Sequence, residues 1–287
     1  MAIVLGITNQ KGGVGKTTTA VNLAACLGAS LRKTLLIDMD PQGNATSGVG
    51  IDKNLLKHTI YDVLLTEISA SNAILKTPFD NLSVLPSNIQ LIGAEVELVS
   101  TPFREQRLRL AIHDIAESFD YIVVDSPPSL GLLTINVLTA VHKVIIPVQC
   151  EYYALEGLSL LMETIQRVNQ KFNPRLRLGG ILMTMSNQRT NLSQQVIDEV
   201  KNYFGDVVFR TVIPRSVRLS EAPSFGKPII FYDLRCIGSA SYVSLCQEII
   251  ELNEPVSARA QEQQIEQASD HSSEIINDIA PESGEEQ

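Results

Sequence analysis

The sequence predicts an α/β chain built on one doubly wound, mainly parallel sheet. Three observations lead there. Short apolar runs alternate along the chain with stretches in which apolar residues recur three and four apart, the patterns of strands and helices in turn. The first run is joined to the first helical stretch by a glycine-rich turn, Gln10-Lys11-Gly12-Gly13-Val14-Gly15-Lys16-Thr17-Thr18. Two later runs close on an aspartate, at the carboxyl ends of strands, where parallel sheets bind ligands.

Ala2-Ile3-Val4-Leu5-Gly6-Ile7-Thr8 reads as a strand buried on both faces. Ala20, Leu23, Ala24 and Leu27 then recur at helical spacing, so a helix begins near Lys16. Strand, glycine-rich turn and helix form the context of a phosphate-binding loop. Gly12, Gly13 and Gly15 are expected to let backbone N–H groups close around phosphate oxygens, in backbone regions barred to bulkier residues, helped by the unpaired N–H groups of the helix start. Lys16 reaches β- and γ-phosphates in such a loop, and the Thr17 hydroxyl ligates Mg²⁺. The usual first glycine is here Gln10 and is followed by a second lysine, Lys11, which makes this a deviant Walker A loop. A lysine on the outer lip cannot easily curl back onto its own phosphates. It either reaches a nucleotide held by a second subunit or is a solvated surface lysine, and the spacing does not choose.

Thr34-Leu35-Leu36-Ile37-Asp38 is a short buried strand that opens into the polar loop Asp38-Met39-Asp40-Pro41-Gln42-Gly43-Asn44. Asp38 and Asp40 are candidates for Mg²⁺ contact and for holding an attacking water. Residues 52–80 read as an irregular, partly helical excursion. Leu82–Pro86 reads as a strand, and Thr101-Pro102 has the cap-then-proline form of a helix start, with Leu108, Ala111, Ile112 and Ile115 as its buried stripe. In Tyr121-Ile122-Val123-Val124-Asp125-Ser126-Pro127-Pro128, four apolar residues close on an aspartate. This is the Walker B pattern, which places Asp125 near magnesium.

Val144–Val148 is the next buried strand, followed by a helix with Leu158, Leu161, Met162 and Ile165 on one face. Leu178–Met185 is a strand that delivers the loop 186–190 before a helix containing Val196 and Val200. Val207–Ile213 is the last core strand, and a terminal helix over about 238–253 carries Val243, Leu245 and Ile249. The ATPase-like domain is therefore set at 1–253. The tail 254–287 is rich in Gln, Glu and Ser without sustained periodicity and reads as disordered.

The net charge of −9 is unevenly placed. Residues 254–287 hold nine acids and one arginine, which leaves 22 basic against 23 acidic residues in 1–253. Within that part, 165–235 carries eleven Lys/Arg against five Asp/Glu, a basic face suited to phosphates. No run of eighteen apolar residues occurs, so no membrane span is expected. Cys26, Cys150, Cys236 and Cys246 lack metal-ligand or redox spacing and read as reduced cysteines of a cytoplasmic protein.

KGGVGKTT, DMDPQGNAT and VVDSPPSLG, in that order, resemble the ParA/Soj partitioning ATPases. So do IPRSVRLSEAPSFGKPI and the Met-Thr-Met strand with its Arg-Thr-Asn-Leu sequel, and the resemblance covers essentially 1–253. It implies ATP and Mg²⁺ as ligands and a nucleotide-sandwich homodimer. That dimer would bind DNA without sequence preference and be released when a ParB-type partner triggers a slow hydrolysis. It further implies that Lys11 acts across the dimer, that Lys16 with Gly12, Gly13, Val14, Gly15, Thr17 and Thr18 holds the phosphates, and that Asp40 positions the attacking water. By the same resemblance Thr17, Asp38 and Asp125 support magnesium; Met185, Pro214 and Ser216 contact adenine; and Arg189 and Arg218 contact DNA phosphates. Position 216 is often asparagine in such proteins. The expected location is the cytoplasm, on the nucleoid.

Two rival readings use the same fold. A MinD-like membrane regulator would carry a basic amphipathic C-terminal helix, whereas this C-terminus is acidic. A metabolic amide ligase or a nitrogenase-type reductase would need a small-molecule carboxylate pocket or cluster-bridging cysteines, and the sequence offers neither.

Overall fold

The computed structural model describes residues 2–65, 67–151, 156–187 and 191–254. Its centre is an eight-stranded sheet: β1 Ile3–Ile7, β2 Thr34–Asp38, β3 Leu75–Lys76, β4 Leu82–Leu85, β5 Tyr121–Asp125, β6 Lys143–Gln149, β7 Arg177–Ser186 and β8 Val208–Pro214. The spatial order is β3-β4-β2-β5-β1-β6-β7-β8, and every pairing is parallel except β3 with β4. The strand order reverses about β1, so the crevice at its carboxyl end is the switch point where α/β sheets bind ligands.

The helices are α1 Lys16–Ala29, α2 Asn44–Gly48, α3 Ile60–Leu64, α4 Ala70–Ala73, α5 Leu91–Glu97, α6 Arg107–His113, α7 Leu132–Ala140, α8 Glu156–Lys171, α9 Asn191–Phe204, α10 Val217–Glu221, α11 Ile229–Tyr232 and α12 Ile237–Asn253. Alternate strand residues feed opposite faces of the sheet. Val4, Leu35, Ile37, Ile122, Val124, Val144 and Ile146 join one core with Val137 of α7 and Leu161 of α8. Leu5, Leu36, Val123 and Ile145 are as fully buried on the other face, where α1 packs with Ala20, Leu23, Ala24 and Leu27 sealed from solvent. The sheet is thus doubly wound, as its apolar runs predict.

The structure departs from the sequence reading in four places. No helix starts at Thr101-Pro102: Thr101 is extended, Phe103 takes a left-handed φ of 54°, and α6 begins only at Arg107 after a 3-10 turn over Arg104–Gln106. A left-handed residue breaks a right-handed start. Val243 is 37% exposed, whereas Leu245 and Ile249 are buried as expected, together with Tyr242 and Cys246. The excursion 52–80 is partly helical as expected, with α3, capped by a Thr59–Asp62 capping box, and α4, but it also supplies the short strand β3. α7 was not signalled, because it is buried on nearly every side and has no polar face to set a period.

The chain divides into two units, 1–246 and 247–287. Of the second, residues 247–254 are described, so the expected tail lies almost wholly outside the described residues.

Candidate functional site

The turn between β1 and α1 is shaped by two glycines. Gly13 has φ 75° and Gly15 φ 91°, a region that side-chain-bearing residues enter at a cost. Gly12 does not share that conformation; a Cβ there would meet only Pro128 Cβ at 4.0 Å, an ordinary contact. The expectation that all three glycines need special backbone space is therefore corrected to Gly13 and Gly15. Gly15 is also the N-cap of α1, with no side-chain cap and no acid in the first turn. The first N–H groups of a fourteen-residue helix thus meet no side-chain cap and no acid of the helix's own first turn, which leaves them to an anion.

Two ties hold the loop. The buried Val14 carbonyl accepts a hydrogen bond from Thr184 Oγ1 of β7 at 2.9 Å. Lys16, 6% exposed, turns its ammonium back to the Lys11 carbonyl at 3.0 Å. Burial lowers the Lys16 pKa, and the charges of Asp125 and Asp40 oppose that shift. The Lys16 ammonium is thus held within the loop by the Lys11 carbonyl.

The aspartates meet at the ends of adjacent strands, Asp38 of β2 in register with Asp125 of β5. Asp38 is fully buried and its oxygens are engaged: Oδ1 accepts from the Asp40 N–H at 3.1 Å, and Oδ2 from the Thr46 N–H at 2.8 Å and hydroxyl at 2.7 Å. Burial pushes its pKa up to about 6 against those hydrogen bonds. Asp38 therefore braces the following loop. Asp40 accepts the Gln42 N–H at 2.9 Å and is 8% exposed.

Asp125 is different. Both carboxylate oxygens are buried and neither completes a hydrogen bond of good geometry, although the Thr17 hydroxyl is close enough to favour the charged form. Burial, then the Asp38 charge, hold its pKa well above the carboxylate range. A buried, unsatisfied carboxylate beside a hydroxyl is costly unless a cation or proton joins it. Among the described residues no three His, Cys, Asp or Glu side chains gather around a common point. A metal beside Thr17 and Asp125 would take its other ligands from phosphates and water, the habit of Mg²⁺.

Lys11 lies exposed on the lip. Its N–H donates to Asn9 Oδ1 at 3.0 Å and its ammonium lies 3.3 Å from Glu151 Oε2. Met185 takes a left-handed φ of 53°, strain of the kind that collects at functional sites, and its Cε stands 4.0 Å from a Cβ built on Gly15. Pro214 ends β8 in register with Ser186, and Ser216 is the N-cap of α10. β7 and β8 thus bring Met185 and Pro214 to one edge next to the loop. A cavity of about 390 Å³ flanks α1, lined among others by Thr17, Thr18, Asn22, Ser47, Pro223 and Lys227; Met185, Pro214 and Ser216 do not line it.

Arg218 sits on α10, 55% exposed, paired with Glu221 at 3.0 Å and Asp233 at 3.4 Å. A phosphate would have to displace those carboxylates. Arg189 lies outside the described residues. The sequence reading missed Thr46, Thr184, Asn9 and Glu151. Thr184 and Glu151 act through partners 170 and 140 residues away, of which local pattern carries no sign, whereas Thr46 and Asn9 bond to Asp38 and Lys11, 8 and 2 residues away, through loop geometry that spacing alone does not reveal.

A family model described as an AAA domain matches residues 2–178. The chain is 56% identical over 249 residues to the sporulation initiation inhibitor protein Soj of Bacillus subtilis, covering 87% of this chain and 98% of that protein. It is 53% identical over 256 residues to the chromosome partitioning protein ParA of Myxococcus xanthus, covering 89% and 90%. Among solved structures, cobyrinic acid a,c-diamide synthase from Mycobacterium smegmatis with bound ADP and magnesium superposes with a TM-score of 0.78 at 36% identity, over 87% of this chain and 94% of that one.

Proposed function

The chain belongs to the Soj/ParA family of chromosome-partitioning ATPases, and on that premise we propose that it is an ATP-driven partitioning switch. ATP closes two subunits into a sandwich dimer that binds DNA without sequence preference, and hydrolysis stimulated by a ParB-type partner opens it. The observation that carries the nucleotide site is the pairing of an uncapped α1 with the buried, unsatisfied Asp125 carboxylate beside Thr17. The first asks for an anion and the second for a cation, and Mg²⁺–ATP supplies both. Identity of 56% to Soj, against 36% to the diamide synthase of the same fold, favours partitioning over ligase chemistry. No helix among the described residues is long and apolar enough to cross a membrane, and the reading places the protein on nucleoid DNA in the cytoplasm.

In this reading Gly12, Gly13, Val14, Gly15, Lys16, Thr17 and Thr18 hold the phosphates, and Met185, Pro214 and Ser216 border the adenine. Lys16 leaves the Lys11 carbonyl for the β- and γ-phosphates. Thr17 and Asp125 hold Mg²⁺, with Asp38 fixing the loop behind them. Held there, magnesium would supply charge neutralisation to the triphosphate. Asp40, held by Gln42, orients the water whose oxygen bonds to the γ-phosphorus while the bond to the bridging oxygen breaks. Lys11 of each subunit offsets γ-phosphate charge in the other, and its contacts lapse once the γ-phosphate is gone. Arg189 and Arg218 contact DNA phosphates from the basic stretch 165–235.

Light scattering of wild type and Lys11→Ala with ATP, and with ADP, tests the switch. The wild type is expected to double in mass with ATP alone. Lys11→Ala is expected to stay folded, to retain ATP binding and to remain a monomer. A Lys11→Ala dimer of normal affinity would remove the cross-subunit role.

A further inference from the structure

We propose that Glu151 is the in-subunit counter-ion of Lys11, a positioning residue that sets how readily two ATP-bound subunits close. The inference rests on the dimer reading above and deepens it. The Lys11 ammonium and Glu151 Oε2 are 3.3 Å apart, with side chains 44% and 49% exposed. One strand fixes both partners from behind. Asn9, which accepts the Lys11 N–H at 3.0 Å, donates to the Pro147 carbonyl of β6 at 2.8 Å. Gln149, the last residue of the same strand, donates to Glu151 Oε1 at 2.6 Å. β6 therefore braces the lip of the phosphate loop and also presents the carboxylate that takes the lysine's charge. Phosphate binding within one subunit does not call for this pair, because Lys16 is the cation buried inside the loop.

A lysine ammonium resting on Glu151 must leave it to reach a γ-phosphate in a neighbouring subunit. A two-fold dimer repeats every contact, so closure exchanges carboxylate for phosphate twice. One exposed ion pair shifts an equilibrium by a factor of about 1.4 to 5, and two by about 2 to 30. With ATP the γ-phosphate more than replaces the lost pair. With ADP there is no γ-phosphate to replace it, so closure costs the pair without return, and Glu151 raises the threshold that any nucleotide must pass to close the dimer.

The test is sedimentation equilibrium of the full chain with a non-hydrolysable ATP analogue and with ADP, on wild type, Lys11→Ala, Glu151→Gln and the double variant. Glu151→Gln is expected to tighten the analogue-bound dimer about 2- to 30-fold and to raise the dimer fraction with ADP. The gain should shrink at high salt and vanish in the Lys11→Ala background, which loss of a merely structural contact would not do. An unchanged or weaker Glu151→Gln dimer, or a gain that survives without Lys11, overturns the role of Glu151 while leaving the dimer reading intact. A wild type that binds the analogue and stays monomeric overturns both.

Discussion

At the scale of single residues, Asp125 carries the most information. Its carboxylate is fully buried, unsatisfied, and pressed upward in pKa by burial and by Asp38. A folded-state pKa above the ordinary 3.8 means the folded chain binds the proton more tightly than the unfolded one. Stability from this group is therefore full at low pH and is lost as pH rises above about 4 toward the folded value. Asp38 adds a loss of the same sign between about 4 and 6. In the nucleotide-free, metal-free protein, Asp125→Asn should stabilise the fold by about 1–3 kcal/mol at pH 8 and by less at pH 5. The same variant should lose the magnesium-dependent rise in thermal midpoint that the wild type gains with ATP. Thermal melts at the two pH values check this; a variant less stable than wild type at pH 8 would mean that Asp125 is satisfied by the protein itself. The residue types of this site were legible from spacing: Lys16, Thr17 and Asp125 stand where a phosphate loop and a Walker B strand require them. Their tethers were not, because a hydrogen bond such as Thr184 to Val14 joins positions 170 residues apart and depends on which strands become neighbours.

At the scale of elements, the phosphate loop is held in place by the strands beside it. β7 is long, Arg177–Ser186, and passes the site with Thr184 tied to Val14 and Met185 strained above Gly15. Thr184→Val keeps the volume and removes the donor, leaving the Val14 carbonyl buried without its side-chain partner. The expected cost is about 1–3 kcal/mol in stability, with several-fold weaker nucleotide binding as the loop loosens. Denaturant unfolding and nucleotide titration measure the two effects; an unchanged nucleotide affinity would show that β7 does not shape the loop. The elements themselves were largely legible, since β1, β2, β5, β6, β7 and β8 coincide within a residue or two with runs of apolar, β-branched sequence. What escaped had physical reasons. α7 is buried all round, so its pattern lacks a polar phase. β3 is two residues long and exists only because β4 is there to pair with it. α6 starts late because Phe103 adopts a left-handed conformation that Thr101-Pro102 does not announce.

At the scale of the whole molecule, charge is segregated. Residues 254–287 carry eight of the nine net negative charges, and 165–235 is net positive by six. A chain acidic overall therefore presents a basic stretch within its folded part, and DNA affinity resting on it is sequence-independent and salt-sensitive. Arg218 is already paired with Glu221 and Asp233, so it serves phosphates only if those pairs open; under the proposed switch, closure of two subunits would be the event that opens them. The central claim is that the γ-phosphate controls access to DNA. The most direct measurement is binding of the full chain to random-sequence duplex DNA with ATP, with ADP and without nucleotide, at two salt concentrations. The account predicts tight binding with ATP alone, falling steeply as salt rises. Binding of equal strength in all three states, or in none, would contradict it.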